Sequence, residues 1–238
     1  MIASTLGIVL HSIKYGETSL IVKIYTSSFG LVSYMVNGAR SSKGKNKGSL
    51  FQAGNILELE VYNKQGKNLQ HIKEQKLYKI YNHIPNMMVK TSICMYMLEV
   101  LNQCIKEHEQ NETLFDFLIH AFEQLDNQSN DDAIFPSWFM IALASHLGFE
   151  AGNSFEENKT IFDMQEGLYV EESYHAHALH LPYSKYWYEL SQQEIPQNTI
   201  TSKKERLMLL ESVEKFFQMH IENFKQLQTP RILREVLS

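Results

Sequence analysis

Residues 38–48 read Gly-Ala-Arg-Ser-Ser-Lys-Gly-Lys-Asn-Lys-Gly, a stretch with four positive charges, no acid and mostly small side chains. Arg40, Lys43, Lys45 and Lys47 suit the neutralisation of phosphates on a polyanion, with counterion release and an affinity that falls with salt. Four aromatics, Tyr15, Tyr25, Phe29 and Tyr34, precede this stretch, and such rings stack on unpaired bases. With Lys14 beside Tyr15 and Lys23 near Tyr25, the candidate DNA-binding set is Lys14, Tyr15, Lys23, Tyr25, Arg40, Lys43, Lys45 and Lys47. Two plainer explanations compete. A solvated loop can collect lysines, and a Tyr in a strand more often packs than stacks. A nucleotide P-loop is excluded: five residues rather than four separate Gly38 from Gly44, and Asn46 stands where Ser or Thr would hold Mg²⁺.

Other chemistry is sparse. His175, His177 and His180 follow Glu171 and Glu172, and neutral imidazoles ligate zinc or copper. That cluster is the basis of a remote alternative, a metal-dependent hydrolase. No second cluster completes a tetrahedral set, and the interleaved Ala176, Ala178, Leu179 and Leu181 favour packing. Cys94 and Cys104 are too few for a disulfide framework or a four-thiolate zinc site, lie in an apolar helical stretch, and suit a reducing cytosol. No Gly-x-Ser-x-Gly, His-Glu-x-x-His or Gly-x-Gly-x-x-Gly motif is present, so neither catalytic residues nor a cofactor is expected.

The elements that would position the basic stretch divide the 238 residues in two. Residues 1–80 hold 11 Lys+Arg against four acids, a balance of +7, whereas 81–238 hold 11 against 23, a balance of −12. The overall charge of −5 therefore describes neither part. In the basic part the apolar pattern is strand-like. Leu20, Val22 and Ile24 share one face against Lys23 and Tyr25, and Leu57, Leu59 and Val61 alternate with Glu58 and Glu60. Five strands are expected near 4–13, 18–26, 30–37, 55–63 and 68–80, enough for a small closed barrel of OB or SH3-like type. The basic stretch is then an open loop between two barrel strands.

Beyond residue 84 the period turns helical. Ile93, Met97, Leu98, Leu101 and Ile105 mark one helix, with Met95 also expected in the core, and 113–125 and 133–147 give two more. A small hairpin is expected over 160–171, a helix from Ser202 striped by Leu207, Leu210, Val213, Phe217 and Phe224, and a short last helix at Pro230. The division is thus 1–82, a DNA-binding OB-fold domain, and 83–238, a helical domain for protein partners: an α+β, multi-domain chain. No apolar run approaches the roughly 18 residues of a membrane span, and a cytoplasmic protein is expected.

The order of motifs resembles the RecO family of bacterial recombination mediators. The resemblance rests on Gly7-Ile8-Val9-Leu10, Tyr15-Gly16-Glu17 with Ser19, Tyr25-Thr26, Gly30, Gly38-Ala39-Arg40-Ser41-Ser42-Lys43 and Phe51-Gln52-Ala53-Gly54-Asn55. Later pieces are Leu114–Leu118, Leu125-Asp126, Leu147-Gly148-Phe149 and Ile232–Val236. The resemblance implies an amino-terminal OB-fold, a helical carboxy-terminal domain, and binding of single- and double-stranded DNA. It also implies annealing of complementary strands and help in loading recombinase onto strands coated with single-strand-binding protein. The implied partners are RecR and the acidic, apolar C-terminal tail of single-strand-binding protein. Arg40, Lys43, Lys45 and Lys47 match the family's positively charged segment. Many relatives carry a four-cysteine zinc motif where 152–170 here has none, so no metal is expected and packing alone should hold the hairpin. A monomer is expected. The alternative of another class is a protein–protein adaptor whose OB or SH3-like barrel binds no nucleic acid.

Overall fold

Strands β1 (Ile2–Tyr15), β2 (Ser19–Thr26), β3 (Gly30–Val36), β4 (Ile56–Tyr62) and β5 (Leu69–Leu77) close into a barrel in the order β1-β2-β3-β5-β4. The computed structural model describes residues 2–41, 45–64, 66–106, 109–127 and 132–236, with side chains 45, 46 and 236 outside the description. Pairing is antiparallel throughout the barrel except between β3 and β5, which run parallel from Ser33 opposite Leu69 to Met35 opposite His71. That order with one parallel closure is the OB arrangement and decides against the SH3-like alternative. β1 is long because it pairs twice, through residues 2–8 with β4 and through 7–15 with β2.

The barrel core holds Val9, Leu20, Val22, Ile24, Tyr34, Val36, Leu57, Leu59 and Val61. Period-two alternation works as expected on β4, with Glu58 and Glu60 turned outward. Tyr25 departs from it. Although it alternates with the core residues of β2, its ring is buried, 6.0 Å from that of Phe115, and its hydroxyl donates to the Asn111 carbonyl at 3.4 Å. A short helix, α1 (Lys45–Leu50), follows β3 in place of the open loop.

The remaining elements are α2 (Met88–Cys104), α3 (Glu112–Asn127), α4 (Phe135–His146), β6 (Ile161–Asp163), β7 (Leu168–Val170), β8 (Ala178–Leu179), α5 (Tyr183–Ser191), α6 (Lys203–His220) and α7 (Thr229–Val236). The expected hairpin is a three-stranded sheet in the order β7-β6-β8. Chain contacts group into two compact units, Met1–Pro85 with Leu98–Phe122, and Asn86–Met97 with Glu123–Ser238. In the second unit α4 is the hub: nine of its 12 residues are buried, and the Trp138 indole donates to the Gln193 carbonyl at 2.8 Å.

Ser202 caps α6 by accepting from the Glu205 amide, the geometry its sequence announced. Leu210, Val213 and Phe217 of the expected stripe are buried, joined by Leu209 and Phe216, while Leu207 is half-buried and Phe224 is buried past the helix end. Met95 is 52% exposed rather than in the core, because it lies half a turn from Ile93 and Met97, which take the buried face.

Candidate nucleic-acid interface

The basic stretch is anchored at both ends. After β3, Gly38 turns the chain at φ +68°, a backbone region suited to glycine, and Ala39 enters the barrel core. The Arg40 amide donates to the Thr18 carbonyl at 2.8 Å, and its guanidinium Nη1 donates to the Gly16 carbonyl at 3.2 Å. Ser19 Oγ donates to Asn37 Oδ1 at 3.3 Å. These bonds hold the basic segment against the β1–β2 turn. On the far side, Gly48 of α1 passes so close to the segment that a Cβ there would sit 2.6 Å from the Ala39 carbonyl oxygen. Phe51 then plugs the core at 1% exposure, a burial that contributes about 1.5–3 kcal/mol.

Strand register brings a cation and apolar groups onto one outer surface. Lys23 stands opposite His11 on β1 and Ser33 on β3; in the next row Ile13, Ile21 and Met35 are aligned, and beyond them Tyr15 faces Ser19. Ile13 and Tyr15 are about half exposed, so this surface presents an apolar platform beside a cation, the combination that suits stacking of unpaired bases. Lys14 and Tyr15 adjoin the β1–β2 turn that Arg40 grips, whereas Tyr25 and Tyr34 are enclosed and offer no open face to a base. Lys47 is half-buried, Lys43 lies outside the described residues, and of Lys45 only the backbone is described. Ile13, Ile21 and Met35 were not singled out from sequence, because only the register shows them sharing a surface with Lys23.

Charge is segregated over the barrel. Glu17 is the sole acid before Glu58, while six bases precede it. On β4 and β5, Lys76 pairs with Glu58 at 2.6 Å and Lys73 with Glu60 at 2.7 Å. The hydrogen bond from Lys73 to Glu60, with the attraction of that carboxylate, pushes the ammonium pKa up. Exposed pairs of this kind add little stability, and their consequence is local neutrality. The surplus positive charge therefore lies on the β1–β3 side and in the turns.

The second unit uses its polar groups structurally. Asp163 accepts from Ser173 Oγ at 2.6 Å, from the amides of Gln165 and Glu166, and pairs with His175 Nδ1 at 2.7 Å. Burial pushes the Asp163 pKa up, but the hydrogen bonds from Ser173, His175, Glu166 and Gln165 outweigh it and hold the carboxyl below its ordinary value. Asn153 bonds both the amide and the carbonyl of Tyr169, closing the outer edge of β7. The small sheet is therefore clasped by side-chain hydrogen bonds as well as packed, contrary to the expectation of packing alone. His175 is engaged by Asp163, His177 and His180 line a groove beside Met208, and no group of three His, Cys, Asp or Glu placed to hold a metal occurs among the described residues. Burial pushes the thiols of Cys94 and Cys104 up to about 12, which keeps them protonated. A cleft of about 520 Å³ between α6 and α7 has Leu207 and Met208 as its apolar part and Lys203, Lys204 and Arg234 as cations, with Arg234 paired to Glu211.

Barrel order and surface charge define an OB-barrel protein with a cationic outer face, carried in one chain with a helical unit. Residues 1–81 match the family described as Recombination protein O N terminal, and residues 86–152 match Recombination protein O C terminal. The chain is 35% identical to the DNA repair protein RecO of Flavobacterium psychrophilum and 33% identical to that of Flavobacterium johnsoniae, each over 98% of both chains. It is 29% identical to the DNA repair protein RecO of Christiangramia forsetii over 99% of both. The chain belongs to the RecO family. No helix among the described residues is long and apolar enough to cross a membrane.

Proposed function

We propose that this protein is a DNA-repair and recombination mediator that binds single- and double-stranded DNA on its barrel, anneals complementary strands, and helps load recombinase onto strands coated with single-strand-binding protein. The observation that carries the reading is the basic segment held against the β1–β2 turn on the barrel side where acids are nearly absent. Lys14, Lys23, Arg40, Lys43, Lys45 and Lys47 contact phosphates, and Tyr15 stacks on a base. Annealing follows from neutralising two polyanions, so no bond needs to be made or broken. The roles divide as 1–82 for DNA and 83–238 for protein partners, acting as a cytoplasmic monomer.

RecR and the C-terminal tail of single-strand-binding protein are the proposed partners. The α6–α7 cleft supports the second: Leu207 and Met208 suit apolar side chains, and Lys203 and Lys204 suit the acids of such a tail. The test is an annealing assay with complementary strands precoated by single-strand-binding protein. Acceleration by this protein is the expected result, and annealing no faster than without it would refute the reading.

A further inference from the structure

Strand β1 changes face part-way along its length. Val9 stands opposite Ile24 and His11 opposite Lys23, so two steps on β1 match one on β2, and Leu10 is the extra residue of a β-bulge. Directly opposed residues share a face of the sheet, and side chains along a strand alternate between faces. Before the bulge, Val9 points into the barrel core with Ile24. After it, Ser12 takes the core side, opposite Val22, while His11, Ile13 and Tyr15 take the outer side with Lys23, Ile21 and Ser19. Without the extra residue the alternation would run on unbroken from Val9, and Ile13 and Tyr15 would turn inward. Exposure follows the bulge: Ile8, Val9 and Leu10 are buried, whereas Ile13 and Tyr15 are 47% and 51% exposed.

The bulge is held from outside the sheet. Leu10 has no opposite residue on β2, and its carbonyl accepts from Asn102 Nδ2 of α2 at 3.0 Å. The same nitrogen donates to the Leu98 carbonyl, one turn back in α2, at 2.7 Å. Both hydrogens of the amide are thereby used, and the bond to its own helix fixes the direction in which the other points. Leu98–Phe122 belongs to the same compact unit as the barrel, so this contact lies within one body. On the other edge of β1, the Val9 amide donates to the Asn55 carbonyl at 2.9 Å, and the Val9 carbonyl accepts from the Gly54 amide at 2.8 Å. The residue before the bulge is thus tied to the barrel, and the bulged residue to the helix.

We infer that Asn102 is a positioning residue for the DNA-binding surface: by holding the Leu10 carbonyl it keeps the bulge in place, and so keeps Ile13 and Tyr15 on the outer side of β1. The inference rests on the DNA-binding reading and adds to it a residue that acts without touching DNA. Asn102 carries no charge and supplies no phosphate contact. Its action runs through the aim of Tyr15. A bulge released from Asn102 is free to slip along β1, and a slip of one residue exchanges the two faces of the strand beyond it.

The test is a double-mutant cycle read by fluorescence anisotropy of a labelled oligothymidylate of about 16 nucleotides, titrated with the full chain over a range of salt. Asn102→Gln keeps a donor, Asn102→Met has nearly the same length without one, and Asn102→Ala is a second donor-free variant. Asn102 is exposed, so all three are expected to fold. Each is measured with and without Tyr15→Ala. In the wild-type background Tyr15→Ala is expected to weaken binding at least about five-fold, the worth of one stacked base. Asn102→Met and Asn102→Ala are expected to weaken it to a similar extent at an unchanged salt slope, since no cation is lost. In either background Tyr15→Ala is then expected to have little further effect. Asn102→Gln is expected to rescue both the affinity and the Tyr15→Ala effect. A merely structural Asn102 would lower the melting temperature and leave the affinity and the full Tyr15→Ala effect in place, and that result would overturn the inference. A flatter salt slope in the donor-free variants would also overturn it, by placing the action of Asn102 on the cations. Tyr15→Ala with wild-type affinity would overturn it too, while the phosphate contacts of the DNA-binding reading would stand. If wild type itself fails to bind, that reading falls and takes the inference with it.

Discussion

The guanidinium of Arg40 donates to the Gly16 carbonyl, 24 residues earlier, at 3.2 Å. With the amide of Arg40 on Thr18, this contact makes the β1–β2 turn and the basic segment one surface. Arg40 thereby acts twice. One donor orders the turn beside Lys14 and Tyr15, and the proposed phosphate contact would use the other guanidinium donors.

Gly48 tests whether that surface depends on its underside. Gly48→Ala pushes a methyl to 2.6 Å from the Ala39 carbonyl oxygen, a backbone atom with Arg40 next in the chain. The variant is expected to lose about 1–3 kcal/mol of stability and to bind single-stranded DNA several-fold more weakly, with every cation still present. Equilibrium denaturation and anisotropy check the two parts.

Lys90 probes the helical unit. Its side chain is 1% exposed, and its ammonium donates to the Leu125 carbonyl at 2.5 Å, near the C-terminus of α3, and to Asp132 at 3.2 Å. Helix C-termini favour a cation, and removing one partner of a buried pair strands the other. Lys90→Ala is expected to cost about 3 kcal/mol. Lys90→Met keeps most of the buried stem and should cost less, a ranking that denaturant midpoints will read directly.

Asp163 carries a pH signature. Its pKa in the folded protein lies below the ordinary 3.8, so its contribution to stability is complete above that value and is lost as pH falls through the depressed one. Asp163→Asn keeps the shape without the charge. The melting temperature of the variant should lie below that of wild type near neutrality, and the gap should narrow as pH drops below about 4. A gap that stays constant down to pH about 2 would count against the clasp.

What could be read from the residues follows the range of the interaction that decides each feature. Leu57, Leu59 and Val61 announce β4 because a half-buried strand imposes a period of two on its own residues. Ser202 announces α6 because its cap is local, three residues from Glu205. Tyr25 could not be placed from β2, since the ring that covers it belongs to Phe115, 90 residues later. Helix α5 is short, and its buried face of Ser184, Trp187 and Leu190 holds a serine and a single aliphatic residue, so no apolar stripe marks it in the sequence. Arg40, Lys43, Lys45 and Lys47 stood out by density of charge.

The central claim is that the cationic side of the barrel binds DNA. The most direct measurement is the titration of labelled single-stranded DNA with the full chain at about 50 and about 200 mM salt, beside the variant in which Arg40, Lys43, Lys45 and Lys47 are all Ala. Wild type is expected to bind more tightly at low salt, and the variant's slope to be flatter by about three units on single strands and up to about four on duplex. Wild-type binding that ignores salt, or a variant with the wild-type slope, would contradict the account.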